Sequence, residues 1–61
     1  MNGFYSRVIE VLRQHGFEMR RQKGSHQSWC RKNLCVTVST NCESRHTANA
    51  IMKQAGIDHR F

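Results

Sequence analysis

The spacing of apolar residues changes twice along this chain, and those changes bound the fold more tightly than any other feature. Tyr5, Val8, Ile9 and Leu12 are spaced three, one and three apart, which draws one stripe along a helix. Gly16 follows at the position where a left-handed residue ends a helix at low cost. Phe17 and Met19 then alternate with Glu18 and Arg20, so the period drops to two and predicts a strand over 17–22. Lys23-Gly24-Ser25 reads as a turn. A second strand over 26–31 places Gln27, Trp29 and Arg31 on one face and His26, Ser28 and Cys30 on the other. Lys32-Asn33 suits a tight turn. Leu34, Val36 and Val38 alternate with Cys35, Thr37 and Ser39 in a third, β-branched strand. After a polar loop, Ser44 is placed as a helix N-cap. Ala48, Ile51, Met52 and Ala55 restore the helical spacing, Gly56 closes the helix, and Ile57 is set for the apolar contact that accompanies such an ending.

The expected architecture is α+β, in the order α-β-β-β-α. Three consecutive strands joined by short turns make an antiparallel sheet. Each helix has a single apolar stripe, so both belong on one face of it. The expected core is Tyr5, Val8, Ile9, Leu12, Phe17, Met19, Trp29, Leu34, Val36, Val38, Ala48, Ile51, Met52 and Ala55. The other face is left to solvent with Glu18, Arg20, Gln22, His26, Ser28, Cys30, Cys35, Thr37 and Ser39. The tail over 58–61 is expected to fray. With 61 residues the chain is read as a single domain over 1–61. A domain of this size buries only about 60% of the surface its unfolded chain exposes, so it has no room for a deep cofactor cleft. No cofactor is expected, and any active site must be shallow.

Ten Lys and Arg stand against four Asp and Glu, a formal charge of +6. Arg20, Arg21, Lys23, Arg31 and Lys32 fall together with no acid between them, a like-charge cluster that repels itself until a polyanion neutralises it. Nucleic acid is the first such partner to consider. No apolar run approaches the ~20 residues of a membrane span. Arg7, Glu10 and Arg13 interrupt the first apolar stretch, so no secretion signal is expected and the chain is read as cytoplasmic. In that compartment Cys30, Cys35 and Cys42 are read as free thiols. Cys30 and Cys35 face each other across the second hairpin, which leaves a disulfide geometrically open but disfavoured in a reducing cell. The spacing Cys30-x₄-Cys35-x₆-Cys42-x₃-His46 lacks the close ligand pairs of a structural zinc site, and no metal is assigned.

His26 lies two residues after Gly24, on the open side of the expected sheet and among cations. Cleavage of RNA without a metal needs what such a place offers. The 2′-hydroxyl must lose a proton as it attacks phosphorus, the leaving oxygen must gain one, and the phosphorane needs cationic donors. Imidazole offers both protonation states near neutral pH. Gly24 lets backbone approach a ribose-phosphate, and Ser25 can donate to a phosphate oxygen. DNA lacks the 2′-hydroxyl and is excluded as a substrate for this chemistry, though not as a ligand. His15 is read as a helix C-terminal residue, His46 as part of the first turn of helix two and His59 as part of the tail. None is assigned a role, and the acid that protonates the leaving oxygen is not identified. Trp29 is read as core rather than as a stacking platform.

The segment RQKGSHQSW, the strand CVTVS and the helix end IMKQAGI resemble the HicA family of bacterial toxin ribonucleases, with similarity from about Val8 to Ile57. The loop TNCESRHT departs from the lysine- and glycine-rich character associated with that family. The resemblance implies a fold like the double-stranded-RNA-binding domain, metal-independent cleavage of mRNA, and silencing by a HicB-like antitoxin. It implies that His26 is catalytic, with Gly24 and Ser25 forming the turn before it. Arg20, Arg21, Lys23, Arg31 and Lys32, with Gly24 and Ser25, are then the expected RNA-binding residues. Two readings from other classes compete with a toxin endoribonuclease. One is a non-catalytic RNA-binding module that senses A-form shape; the other is an interaction subunit whose basic face docks an acidic protein.

Overall fold

In a computed structural model, which describes residues 3–61, the order of elements is α1 (Tyr5–Gln14), β1 (Glu18–Lys23), β2 (His26–Arg31), β3 (Leu34–Ser39) and α2 (Arg45–Gln54). Met1 and Asn2, which the single-domain expectation included, lie outside the described residues. The strands form one antiparallel sheet in the order β1-β2-β3. Both helices pack on one face of it. Val8, Val11 and Leu12 from α1 and Ala48, Ile51 and Met52 from α2 join Phe17, Trp29, Val36 and Val38 in one buried cluster. The expected fold class is the observed one.

The two helices end in the same way. Gly16 has φ of 88°, its N–H donates to the Arg13 carbonyl, and the Phe17 N–H donates to the Leu12 carbonyl. Gly56 has φ of 73°, with matching bonds from Gly56 to Lys53 and from Ile57 to Met52. This double bond pattern satisfies carbonyls that a bare helix end would leave orphaned. Phe17 and Ile57, the residues after each glycine, are buried against the core. At the start of α2, the Ser44 side chain accepts from the His46 backbone N–H at 3.1 Å, so the expected N-cap is present.

The sheet departs from the expected alternation in β1. Met19 pairs with Trp29 and Arg21 with Ser28, so Arg20 is an extra residue, a β-bulge. Beyond it the phase of β1 is shifted by one. Gln22, expected on the open face, pairs with inward-facing Gln27; Arg21 and Lys23 take the open face instead. Met19 and Leu34, expected in the core, are 45% and 40% exposed; both sit near the ends of edge strands, where one flank has no neighbouring strand. Val11, Cys42 and Ile57 are buried although they were not expected in the core, and Cys30, expected on the solvent face, is buried as well. The tail does not fray. The Phe61 N–H donates to Asn49 Oδ1 at 2.7 Å, and the Phe61 ring stands edge-on to Phe4 with centroids 5.8 Å apart.

The reading of three free thiols is also corrected. Cys30 and Cys35 are directly opposite on β2 and β3 with Cα atoms 4.0 Å apart, and a disulfide joins them. Register alone brings the two sulfurs within bonding reach. Cys42 remains a free, buried thiol.

Candidate active site

Gly24 and Ser25 make the two-residue connection from β1 to β2, and Gly24 has φ of 61°. A positive φ at the first central position is what a type II′ hairpin requires, and glycine supplies it without steric cost. A Cβ placed on Gly24 would meet nothing within 4 Å, so the space above the turn is open to a ligand. The turn sets His26 as the first residue of β2, directly opposite Lys23 on one side and Ser39 on the other. In the next open-face row, Ser28 stands between Arg21 and Thr37. Cross-strand neighbours of this kind have Cβ atoms about 5 Å apart.

These two rows enclose a shallow depression of about 140 Å³ lined by Arg21, Lys23, His26, Gln27, Ser28 and Thr37. His26 is exposed at its rim. The depression joins an imidazole, an ammonium, a guanidinium and two hydroxyls. Its acid-free end is local, since Glu18 shares the open face but sits opposite Cys30 at the other end of β1.

The expected RNA-binding residues are therefore divided. Arg21, Lys23, Gly24 and Ser25 gather around His26. Arg20 occupies the bulge beside them. Arg31 is held elsewhere: its Nη1 donates to the His15 carbonyl at 3.0 Å, and its guanidinium lies 5.3 Å from the centre of the Phe17 ring. Lys32 occupies the β2–β3 turn with φ of 56°, at the opposite end of β2 from His26. Larger hollows lie outside this region. One of about 470 Å³ opens between the start of α1 and the loop before α2 and has no imidazole in its lining. Another, of about 340 Å³, combines Lys53, His59 and Arg60 with Asp58, but the His59 ring is packed edge-on against Phe61 at 4.6 Å.

Beneath the depression lies a polar network that the sequence did not announce. Gln27 is only 7% exposed. Its Oε1 accepts from the Tyr5 hydroxyl and from Trp29 Nε1, both at 2.9 Å, and its Nε2 donates to Gln22 Oε1 at 3.5 Å. The residue after His26 thus ties the start of β2 to α1 and to β1. Trp29 is 2% exposed, which fixes it as core, and Arg13 stacks over it at 5.4 Å.

An open sheet face presenting an imidazole beside a lysine and an arginine, with helices closing the other face, defines a small basic α+β domain with a surface site. The chain belongs to the HicA toxin family of bacterial toxin–antitoxin systems, whose family model matches residues 5–57. No curated protein and no solved structure matches it significantly. Membership makes the chain a toxin with an antitoxin partner. No helix among the described residues is long and apolar enough to cross a membrane.

Proposed function

We propose that the protein is a cytoplasmic endoribonuclease that cleaves mRNA without a metal and is held in check by a HicB-like antitoxin. The observation that carries this reading is the position of His26, exposed on the uncovered sheet face and paired directly with Lys23. His26 acts as general base on the ribose 2′-hydroxyl. Lys23 and Arg21 hold the scissile phosphate and neutralise the charge that develops on it. Ser28 and Thr37 lie within the same depression and can donate to phosphate oxygens. The site is shallow, so the RNA supplies much of its own orientation. Contacts to backbone phosphate carry little sequence information, and weak sequence preference follows.

The test is induction of the wild type and of His26→Ala in cells, followed by growth and mRNA integrity, with purified protein assayed alongside. The wild type arrests growth and degrades mRNA. In vitro its rate is unchanged by EDTA, and His26→Ala loses about 10²–10⁴-fold in cleavage while keeping its fold and its RNA affinity. Equal cleavage by the two proteins removes the assignment of His26. Binding without cleavage by the wild type favours the non-catalytic module instead.

A further inference from the structure

The two edges of the sheet are unlike. β1, with the sequence EMRRQK, carries four charged residues and a bulge at Arg20. Charges and bulges are the devices by which an edge strand avoids pairing with other chains. β3, with the sequence LCVTVS, has no charge, no proline and no bulge, and its pairing with β2 is regular from Leu34 to Ser39. It is a β-branched strand with a bare edge.

The ladder shows which groups that edge offers. Antiparallel pairs alternate between a wide, hydrogen-bonded kind and a narrow kind without ladder bonds. Cys30–Cys35, with Cα atoms 4.0 Å apart, is narrow. Gln27–Val38, Trp29–Val36 and Arg31–Leu34 are then the bonded pairs. The Thr40 N–H donating to the Ser25 carbonyl at 2.8 Å is in phase with them. The amides and carbonyls of Cys35 and Thr37 consequently point away from β2, into the open. Among the described residues neither makes a backbone bond outside the ladder. An added strand would meet two donors and two acceptors already in line.

Charge selects the occupant. Thr37 lines the His26 depression, and a strand added to β3 lies about 5 Å beyond it. Alternate side chains of that strand project on the open face beside Cys35 and Thr37, about 10 Å from the strand of His26 and about 14 Å from that of Arg21 and Lys23, so the attraction acts across the face rather than by contact. Acidic side chains at those positions meet a local field with no acid of its own. A second copy of this chain would bring a net charge of +6 against +6. We propose that the antitoxin donates an extended segment, with Asp or Glu at alternate positions, to the free edge of β3, so that the docked segment flanks the site and sets acidic side chains at its Thr37 rim. That the flanked site is the ribonuclease centre rests on the function proposed above.

The probe is the peptide Glu-Val-Glu-Thr-Glu-Val-Glu-Thr, with a second peptide carrying Lys for Glu as its control. Amide exchange is followed on the full chain, and RNA cleavage is measured on the same preparations. The acidic peptide slows exchange at Cys35 and Thr37, leaves β1 unaffected and inhibits cleavage; the lysine peptide does none of these. Cys35→Ala and Cys35→Pro both lose the disulfide, but only the proline removes the outward N–H. Cys35→Ala keeps peptide affinity within about twofold, and Cys35→Pro weakens it by about tenfold, the scale of a lost hydrogen bond. Absence of protection at Cys35 and Thr37, protection along β1 instead, or protection that appears with protein concentration alone would overturn the proposal. The exchange readout on wild type decides this even where the proline variant does not fold. Protection of β3 in a protein that cleaves no RNA would uphold the docking and sink the nuclease reading. Cleavage without protection would do the reverse.

Discussion

At the scale of single residues, the cations of this chain are sorted by what their side chains touch. Arg21 and Lys23 project into the His26 depression, whereas Arg31 is spent on the fold, bonded to the His15 carbonyl and stacked on Phe17. Arg21→Ala and Lys23→Ala are each expected to weaken RNA binding and to lower its salt slope by about 0.7. Arg31→Ala is expected to leave RNA affinity nearly unchanged and to lower the melting temperature instead. Filter binding and thermal melts on the three variants check this division; a loss of affinity in Arg31→Ala equal to the others would contradict it. Cys42 gives a second case. Burial pushes its thiol up from the ordinary range, only partly offset by a backbone hydrogen bond at Ser44. The neutral thiol is the form the fold favours, so this group's contribution to stability is present below the unfolded thiol pKa and is lost as pH rises above it. Native protein at pH 8 should therefore resist iodoacetamide at Cys42 and react fully once denatured, as mass spectrometry can show.

At the scale of elements, the start of β2 is anchored by Gln27, whose side-chain oxygen satisfies both Tyr5 and Trp29. Removing it strands two donors, one of them buried, and each orphaned group costs about 1–3 kcal/mol. Gln27→Leu should therefore destabilise by that order in chemical denaturation despite its added apolar surface, and cleavage should fall as His26 loses its fixed strand. A stability equal to wild type would show that water replaces the amide. The elements themselves were legible because each had a local signature: two helical stripes with glycine endings, and strict alternation in Leu34–Ser39. The position of His26 on the open face was legible for the same reason, since β2 alternates without interruption. What alternation cannot reveal is an inserted residue. Nothing in the run Met19-Arg20-Arg21-Gln22 marks Arg20 as the bulge, because the three residues after Met19 are all polar and suit either phase of an exposed edge. The network around Gln27 was hidden for a related reason. Its partners, Tyr5 and Gln22, are contributed by other elements, and only packing brings them together. The Cys30–Cys35 bond followed from register, while the free-thiol reading came from the assumed compartment.

At the scale of the whole molecule, the chain is a thin slab, 30 × 28 × 15 Å, with helices on one side and the open sheet on the other. The His26 depression lies on the open sheet face of this slab. Binding there should be dominated by charge. Phosphate contacts from Arg21, Lys23 and one or two neighbours predict a log–log slope of affinity on salt of about −2 to −3 for single-stranded RNA. Titration between low and moderate salt measures it; a flat dependence would mean that the net charge of +6 is not what holds the nucleic acid.

The bulge at Arg20 also has a bearing on how this sequence can drift. Because one residue there is left out of the pairing, the two halves of β1 keep time separately. The half that meets Trp29 and the half that carries Arg21 and Lys23 can each tolerate substitutions suited to its own face. Loss of Arg20 alone would merely iron the strand flat, whereas loss of Gln22, with the turn still holding Lys23 opposite His26, would bring Arg21 opposite Gln27 on the covered face and take its guanidinium away from the imidazole.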